Sequence, residues 1–183
     1  MKIENAYCNN GGGLISGLKL IEPEVFGDKR GWFLETWNEK KYEPLTFCQD
    51  NMSFSKYGTL RGLHMQKPSQ GKLVQVIQGK IYDVAVDLRL ESPTFGKWCG
   101  VFLSGETKKQ FWIPEGFAHG FCVVSETAIF SYKCTAYYNP KEEISILWND
   151  PEIGINWQTL EPLLSDKDAN AKPLSYWKEQ NVF

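Results

Sequence analysis

The chain has 183 residues, and its 20 Lys and Arg nearly balance its 22 Asp and Glu. This balance excludes a strong net field that would draw the protein to nucleic acid or to an anionic lipid surface. The sequence also lacks an apolar run of the roughly 20 residues that a membrane helix needs and an apolar signal core at its start. We therefore expect a cytoplasmic protein that forms one domain over residues 1–183, with no nucleic-acid or membrane partner.

Short β-prone runs, separated by Gly, Pro and Asn, recur along the chain about every 8–12 residues, which is typical of an all-β sandwich or barrel. The predicted strands are, in chain order, 17–22, 31–37, 46–53, 59–66, 72–78, 80–89, 96–103, 109–113, 119–124, 127–136 and 143–148. The clearest hairpin joins 72–78 to 80–89, with Gly79 in the turn. After Asp150 the chain is irregular, apart from a short helical turn expected near 165–170.

Alternation along the predicted strands places a few polar side chains on apolar faces. Lys72 lies in line with Val74 and Val76, and Tyr132 and His119 lie in line with apolar neighbours on their own strands. A buried Lys, Tyr or His needs a partner or a ligand. The pattern therefore indicates a binding site inside a barrel.

The five cysteines form an odd set without a C-x-x-C pair: Cys8, Cys48, Cys99, Cys122 and Cys134. This spacing argues against a disulfide framework and against a zinc knuckle. We expect ordinary reduced thiols.

The segment 112–121, W-I-P-E-G-F-A-H-G-F, contains the pattern P-x-G-x-x-H, whose last residue is His119. It resembles the second conserved motif of the cupin superfamily. Metal-binding cupins usually use three His and one carboxylate, with an H-x-H pair in their first motif. Here that place is filled by His64-Met65-Gln66, and the chain has only two His. We therefore expect no metal and no cofactor.

A longer series of motifs resembles the dTDP-4-dehydrorhamnose 3,5-epimerase family from about residue 18 to residue 168. The motifs are V-F-G-D-K-R-G-W-F-L-E (25–35), Q-D-N-x-S (49–53), L-R-G-L-H-M-Q (60–66), Q-G-K-L-V (70–74), D-V-A-V-D-L-R (83–89), S-P-T-F-G (92–96), 112–121, Y-K-C-T-x-Y-Y (132–138), I-L-W-N-D-P (146–151) and L-S-D-K-D (164–168). The resemblance implies a double-sheet jelly-roll barrel of the cupin type. It also implies epimerisation of dTDP-4-dehydro-6-deoxy-D-glucose at C3 and C5 to dTDP-4-dehydro-L-rhamnose.

The family's reaction implies catalytic roles for four residues. The C4 ketone acidifies the protons on C3 and C5, so the enzyme needs a base, an enolate stabiliser and an acid on the opposite face of the sugar. By this resemblance His64 is the base and Asp168 orients it. Lys72 stabilises the enolate oxygen, and Tyr132 is the acid.

The resemblance also implies a set of substrate-binding residues. Arg30, Arg61, Lys167 and His119 would hold the diphosphate, and Tyr138 would stack on thymine. The full set is Phe26, Arg30, Glu35, Gln49, Asn51, Arg61, Lys72, His119, Tyr138, Glu143 and Lys167. We expect Asp28, Asp83 and Asp87 to be structural or surface residues.

The position of Arg61 sets a condition on the predicted site. Arg61 and His64 have opposite parity on one predicted strand. Both can face one cavity only if Gly62 permits a bulge or twist.

In this family the first motif reaches into the neighbouring subunit's site, so the resemblance implies a homodimer with shared active sites. Three alternatives stay open at the level of sequence. The enzyme could invert only C3 or only C5, or the chain could be a non-enzymatic cupin that binds a sugar nucleotide. A metal-dependent cupin, which would carry metal when purified, is the third.

Overall fold

The computed structural model describes residues 1–9, 13–159 and 161–183. Its strands are β1 (Lys2–Tyr7), β2 (Leu14–Glu22), β3 (Val25–Asp28), β4 (Gly31–Leu34), β5 (Gln49–Lys56), β6 (Leu60–Gln66), β7 (Lys72–Gln78), β8 (Lys80–Asp87), β9 (Trp98–Ser104), β10 (Gln110–Ile113), β11 (Phe117–Val123), β12 (Thr127–Cys134) and β13 (Glu143–Ser145). The helices are α1 (Asp166–Ala169) and α2 (Leu174–Glu179). Neither of the two described helices is long and apolar enough to span a membrane.

The strands form two antiparallel sheets. One has the order β1-β2-β10-β7-β12-β5 and the other β13-β6-β11-β8-β9, while β3 and β4 form a separate hairpin. The inner faces of both sheets supply one apolar core, with Val74 and Phe130 from the first sheet and Ala85 and Phe121 from the second. The expected all-β, double-sheet jelly-roll architecture is confirmed.

The second sheet is buried on both of its faces. Every residue of β11 is buried, as is every residue of β8 after Lys80. The outer face packs under the C-terminal segment, which contributes Trp157 and Leu174 to a second apolar cluster. Two backbone hydrogen bonds, from Leu60 N–H to the Leu163 carbonyl and from Leu163 N–H to the Gly58 carbonyl, then fix that segment beside β6. This packing brings α1 to the edge of the barrel interior.

The predicted strands agree with the structure in position and differ mainly at their ends. The helical turn expected near 165–170 is confirmed as α1. The prediction missed β1 and α2 and did not recognise β3 as a strand. In β1 every residue except Ala6 is exposed, so the strand lacks the alternation that marks a half-buried strand.

Candidate active site

A pocket of about 610 Å³ opens between the two sheets, within the size range of small-molecule sites. It is lined by side chains from β5, β6, β7, β11 and β12 and by the segment around α1. The lining includes His64, Lys72, Tyr132 and Asp168. The predicted catalytic residues therefore surround one cavity, although they come from four separate parts of the chain.

Lys72 begins β7, a central strand of the first sheet, where it pairs with Ile113 on one side and Cys134 on the other. It shares its face with Val74 and Val76, which belong to the core, as the alternation predicted. Burial lowers the pKa of Lys72, and the nearby Cys134, Asp83 and Glu143 act in the opposite direction. A cation held in this setting interacts strongly with any negative charge that develops beside it.

His64 lies on β6 with its Nε2 2.5 Å from Asp168 Oδ1. Asp168 is only 3% exposed, and its other oxygen accepts a hydrogen bond of 2.8 Å from Ser165. Burial raises the pKa of Asp168, but the hydrogen bonds from His64 and Ser165 outweigh burial and hold it below its usual value. The ionised carboxylate is an acceptor, so Nε2 must be the donor, which leaves His64 Nδ1 as the nitrogen that can accept a proton.

Glu143 lies on the Nδ1 side of His64, with Oε1 3.9 Å from that nitrogen. The carboxylate accepts hydrogen bonds from Lys167 Nζ at 2.9 Å and from the Tyr138 hydroxyl at 2.8 Å. Burial raises the pKa of Glu143, and these two hydrogen bonds outweigh it and lower the pKa below its usual value. Glu143 is therefore an anion that accepts hydrogen bonds from Lys167 and Tyr138 and lies 3.9 Å from His64 Nδ1.

Tyr132 projects from β12 and packs on Phe130, with ring centroids 5.4 Å apart. Burial raises the pKa of Tyr132, whereas the positive charge of Arg61 lowers it less strongly. The phenol therefore keeps its proton at neutral pH. Tyr132 lines the same pocket as His64 and can donate that proton to a ligand.

The condition set by Arg61 and His64 is met by a bulge. Opposite β11, Arg61 pairs with Phe121 and His64 pairs with His119, so the register shifts by one residue between them. Gly62 has a φ of +121°, and a Cβ there would lie 2.6 Å from the Gly120 Cα. Glycine at this position lets both Arg61 and His64 line the pocket.

A second imidazole–carboxylate pair lies deeper in the barrel. His119 on β11 is 7% exposed, and its Nε2 is 3.0 Å from both oxygens of the fully buried Asp83 on β8. Asp83 was expected to be a structural or surface residue. The structure shows that it is structural and fixes His119, which lines the pocket. Its place on the inward face of β8, in line with Ile81 and Ala85, was the sequence signal for this position.

The remaining predicted binding residues fall into two groups. One group lines the pocket: Gln49, Asn51, Arg61, His119, Tyr138, Glu143 and Lys167. The other lies outside it, on or just after the β3–β4 hairpin, and consists of Phe26, Arg30 and Glu35. Arg30 pairs with Asp28 on the exposed hairpin, and Glu35 pairs with Lys41 at 2.8 Å.

The pocket therefore combines an imidazole fixed by a carboxylate, a protonated phenol and a half-buried ammonium group. Arg61 and Lys167 add positive charge where an anionic group could bind. Within residues 1–9, 13–159 and 161–183, no three His, Cys, Asp or Glu side chains are grouped to hold a metal ion. The arrangement suits proton transfer to and from a carbon atom that lies beside a carbonyl group.

Comparison with known proteins points to one family. A family model for dTDP-4-dehydrorhamnose 3,5-epimerase matches residues 13–176. The enzyme of that name from Salmonella typhimurium is 56% identical over 86% of this chain and 90% of its own length. The enzyme of that name from Shigella flexneri is 53% identical over 86% of this chain and 91% of its own length. The crystal structure of dTDP-6-deoxy-D-glucose-3,5-epimerase from Legionella pneumophila, in complex with dTDP-4-keto-L-rhamnose, superposes with a TM-score of 0.88 at 51% identity and covers 95% of this chain and 94% of that one.

Proposed function

This chain belongs to the dTDP-4-dehydrorhamnose 3,5-epimerase family, and on that premise we propose that His64 and Tyr132 move the protons of its reaction. The enzyme inverts C3 and C5 of dTDP-4-dehydro-6-deoxy-D-glucose to give dTDP-4-dehydro-L-rhamnose. The observation that supports the assignment best is the pairing of His64 with the ionised Asp168, which leaves a proton-accepting Nδ1 in a pocket that also holds Tyr132.

The base has to reach two carbons of the same ring. In a D-gluco chair the hydrogens on C3 and C5 project from one face, so a single imidazole on that face can remove both in turn. His64 Nδ1 takes the proton, and Asp168 stabilises the imidazolium that forms. The electron pair of the broken C–H bond passes to the C4 oxygen as an enolate.

Lys72 and Tyr132 complete each inversion. The Lys72 ammonium group stabilises the enolate oxygen from within the pocket, where a charge held away from bulk water interacts strongly with a neighbouring anion. Tyr132 then donates its phenolic proton to the carbon from the face opposite His64. Repeating the two steps at the second carbon gives the L-configured sugar.

The nucleotide is held by the polar rim of the pocket. Arg61 and Lys167 bind the diphosphate, and His119 contributes its Nδ1 because Asp83 already engages its Nε2. Gln49, Asn51 and Glu143 bind sugar and nucleoside hydroxyl or base groups. The exposed ring of Tyr138 stacks on thymine.

The β3–β4 hairpin acts in a second copy of the chain. Phe26, Trp32 and Phe33 are each more than half exposed on it, which is a large apolar surface for a short hairpin. We propose a homodimer in which Phe26, Arg30 and Glu35 complete the neighbouring pocket. Loss of pocket activity in a monomeric Trp32→Glu variant, measured beside its mass in solution, tests this arrangement.

Two further proposals concern the chain as a whole. The shared core between the sheets supports one domain over residues 1–183. All five cysteines are free thiols, four of them buried, which supports a reducing compartment such as the cytoplasm.

The direct test of the activity is deuterium uptake. The protein is incubated in D2O with dTDP-4-dehydro-6-deoxy-D-glucose, and proton NMR follows the signals of C3 and C5. We expect deuterium at both carbons. Uptake at one carbon only would support a restricted epimerase, and no uptake by folded protein would support a sugar-nucleotide-binding protein without catalysis.

A further inference from the structure

Glu143 occupies a position that the proton transfers described above do not use. Its Oε1 lies 3.9 Å from His64 Nδ1, on the nitrogen that Asp168 leaves free. Its side chain is only 14% exposed. It contacts Lys167, whose side chain is 50% exposed, and Tyr138, which is 52% exposed. Glu143 therefore connects the base to the mouth of the pocket.

Two inversions in one binding event create a need that one inversion does not. After the first carbon is inverted, His64 holds an extra proton and Tyr132 lacks one. The second inversion requires His64 to be neutral and Tyr132 to be protonated again. A sugar bound against Nδ1 would cover most of the His64 side chain, which is only 23% exposed, so its proton needs a route to water.

The groups around His64 leave one acceptor for this proton. Asp168 lies on Nε2 and is already engaged there. His119, which faces His64 from β11, is held by Asp83, while Lys72 on β7 and Tyr132 on β12 serve the enolate and the carbon. Lys167 on α1 is a cation. Among the described residues, Glu143 is the carboxylate that approaches Nδ1.

We propose that Glu143 resets the base between the two inversions by taking the proton from His64 Nδ1 and passing it to water at the mouth of the pocket. The Nδ1–H bond breaks and an O–H bond forms on Oε1, which then releases the proton to solvent. Tyr132 phenolate takes a proton from water, so the enzyme returns to its starting state with no net change. This inference rests on the proposed function, since it assumes that His64 and Tyr132 are the base and the acid.

Substrate binding makes the Glu143 carboxylate a better proton acceptor. Burial raises the pKa of Glu143, but the hydrogen bonds from Lys167 and Tyr138 outweigh burial and hold the pKa below its usual value. When the diphosphate binds Lys167, the carboxylate loses that cation and its pKa rises. The carboxylate then accepts a proton from the imidazolium more readily.

The test separates the first proton transfer from the second. With Glu143→Gln in saturating excess over substrate in D2O, so that weaker binding does not limit the rate, uptake at the first carbon should fall less than uptake at the second, because the first step needs no reset. Uptake at the second carbon and steady-state turnover should fall by about tenfold or more. A product inverted at one carbon only should accumulate. In Glu143→Ala, whose shorter side chain leaves room beside Nδ1, added formate should restore turnover by carrying the proton.

Two matched variants separate the reset from loss of charge or of the ion pair. Glu142→Gln removes the exposed neighbouring carboxylate and should leave turnover unchanged. Lys167→Met removes the ion pair but keeps the Glu143 carboxylate. It should raise KM, and its turnover at saturating substrate should not respond to formate.

The proposal is overturned if Glu143→Gln makes doubly inverted product at the wild-type rate. It is also overturned if first-carbon uptake falls as far as turnover and formate restores nothing, since Glu143 would then only bind substrate or shape the pocket. If the wild-type enzyme itself takes up no deuterium, the proposed function fails instead.

Discussion

The pocket contains two imidazole–carboxylate pairs that look alike in composition and differ in surroundings. His119 and Asp83 lie on adjacent inner strands, both buried, and the His119 ring stacks on Phe130. His64 is on a bulged strand, and its carboxylate comes from α1, on a segment fixed beside the barrel. The His64 side chain is 23% exposed and that of His119 is 8% exposed.

This difference shows that a carboxylate partner does not by itself make a histidine a base. Both pairs fix an imidazole. To act repeatedly as a base, however, the ring must also present a free nitrogen to the substrate and have a neighbouring group that takes its proton away. His64 meets both conditions through Nδ1 and Glu143. His119 is placed to orient and bind. The variants below test that distinction.

The largest effect should come from removing each imidazole in turn. His64→Asn should lower kcat by about 10²–10⁴-fold, the usual contribution of a general base, with little change in nucleotide affinity. His119→Asn should mainly raise KM, because it loses a ligand contact and leaves Asp83 buried without a partner. Steady-state kinetics with dTDP binding by calorimetry checks both, and equal losses of kcat would erase the distinction between the pairs.

The carboxylates should repeat the pattern with smaller effects. Asp168→Asn should lower kcat by about 10²-fold, because an amide cannot stabilise the imidazolium or fix the Nε2–H tautomer. Asp83→Asn should leave kcat within about tenfold of wild type and weaken substrate binding instead. A kcat for Asp83→Asn as low as that of Asp168→Asn would show that the deeper pair also drives proton transfer.

Gly62 lies where the two pairs meet, since a Cβ there would be 2.7 Å from the His119 carbonyl oxygen and 2.6 Å from the Gly120 Cα. Gly62→Ala should destabilise the fold by about 1–3 kcal/mol and lower activity by shifting His64 relative to His119. Gly96→Ala is a matched control, with a φ of +75° but nothing within 4 Å of its Cβ. Urea unfolding of both variants measures the difference, and equal costs would mean that the close approach at Gly62 is unimportant.

The smallest effect concerns stability at low pH. The folded-state pKa of Asp168 is lowered, so its ionised form stabilises the protein above the pKa of the unfolded chain, and that stabilisation is lost as pH falls through the folded-state value. The difference in Tm between wild type and Asp168→Asn should therefore be constant near neutral pH and shrink as the pH falls below about 4, the ordinary pKa of an aspartate. A difference in Tm that stays constant with pH would contradict an ionised Asp168.

Much of the site could be predicted from sequence, because motif residues carry their chemistry and strand alternation gives their direction. The inward direction of Lys72 was predicted and is found, and the condition that Gly62 permit a bulge is met. The contact of His64 with Asp168 spans 104 positions, and only family resemblance suggested it. No periodicity reveals that a loop will bring α1 against β6.

Other features escaped because the local pattern was misleading. Asp83 sits within a run of buried residues, so its carboxylate could be assigned to a structural role but not to His119. β1 is almost wholly exposed and is held only by pairing with β2, which leaves no apolar alternation to detect. In both cases the sequence does not show which strand pairs with the one in question, β11 with β8 and β2 with β1.

The most direct measurement is the protonation state of the two imidazoles, since the chain contains only His64 and His119. Nitrogen-15 NMR of histidine-labelled protein, with the His119→Asn variant for assignment, reports which ring nitrogen carries the proton near neutral pH. We predict a proton on His64 Nε2, bound to Asp168, and an unprotonated Nδ1 that faces the substrate side of the pocket. A proton fixed on His64 Nδ1 at neutral pH, with Nε2 bare, would contradict its assignment as the base.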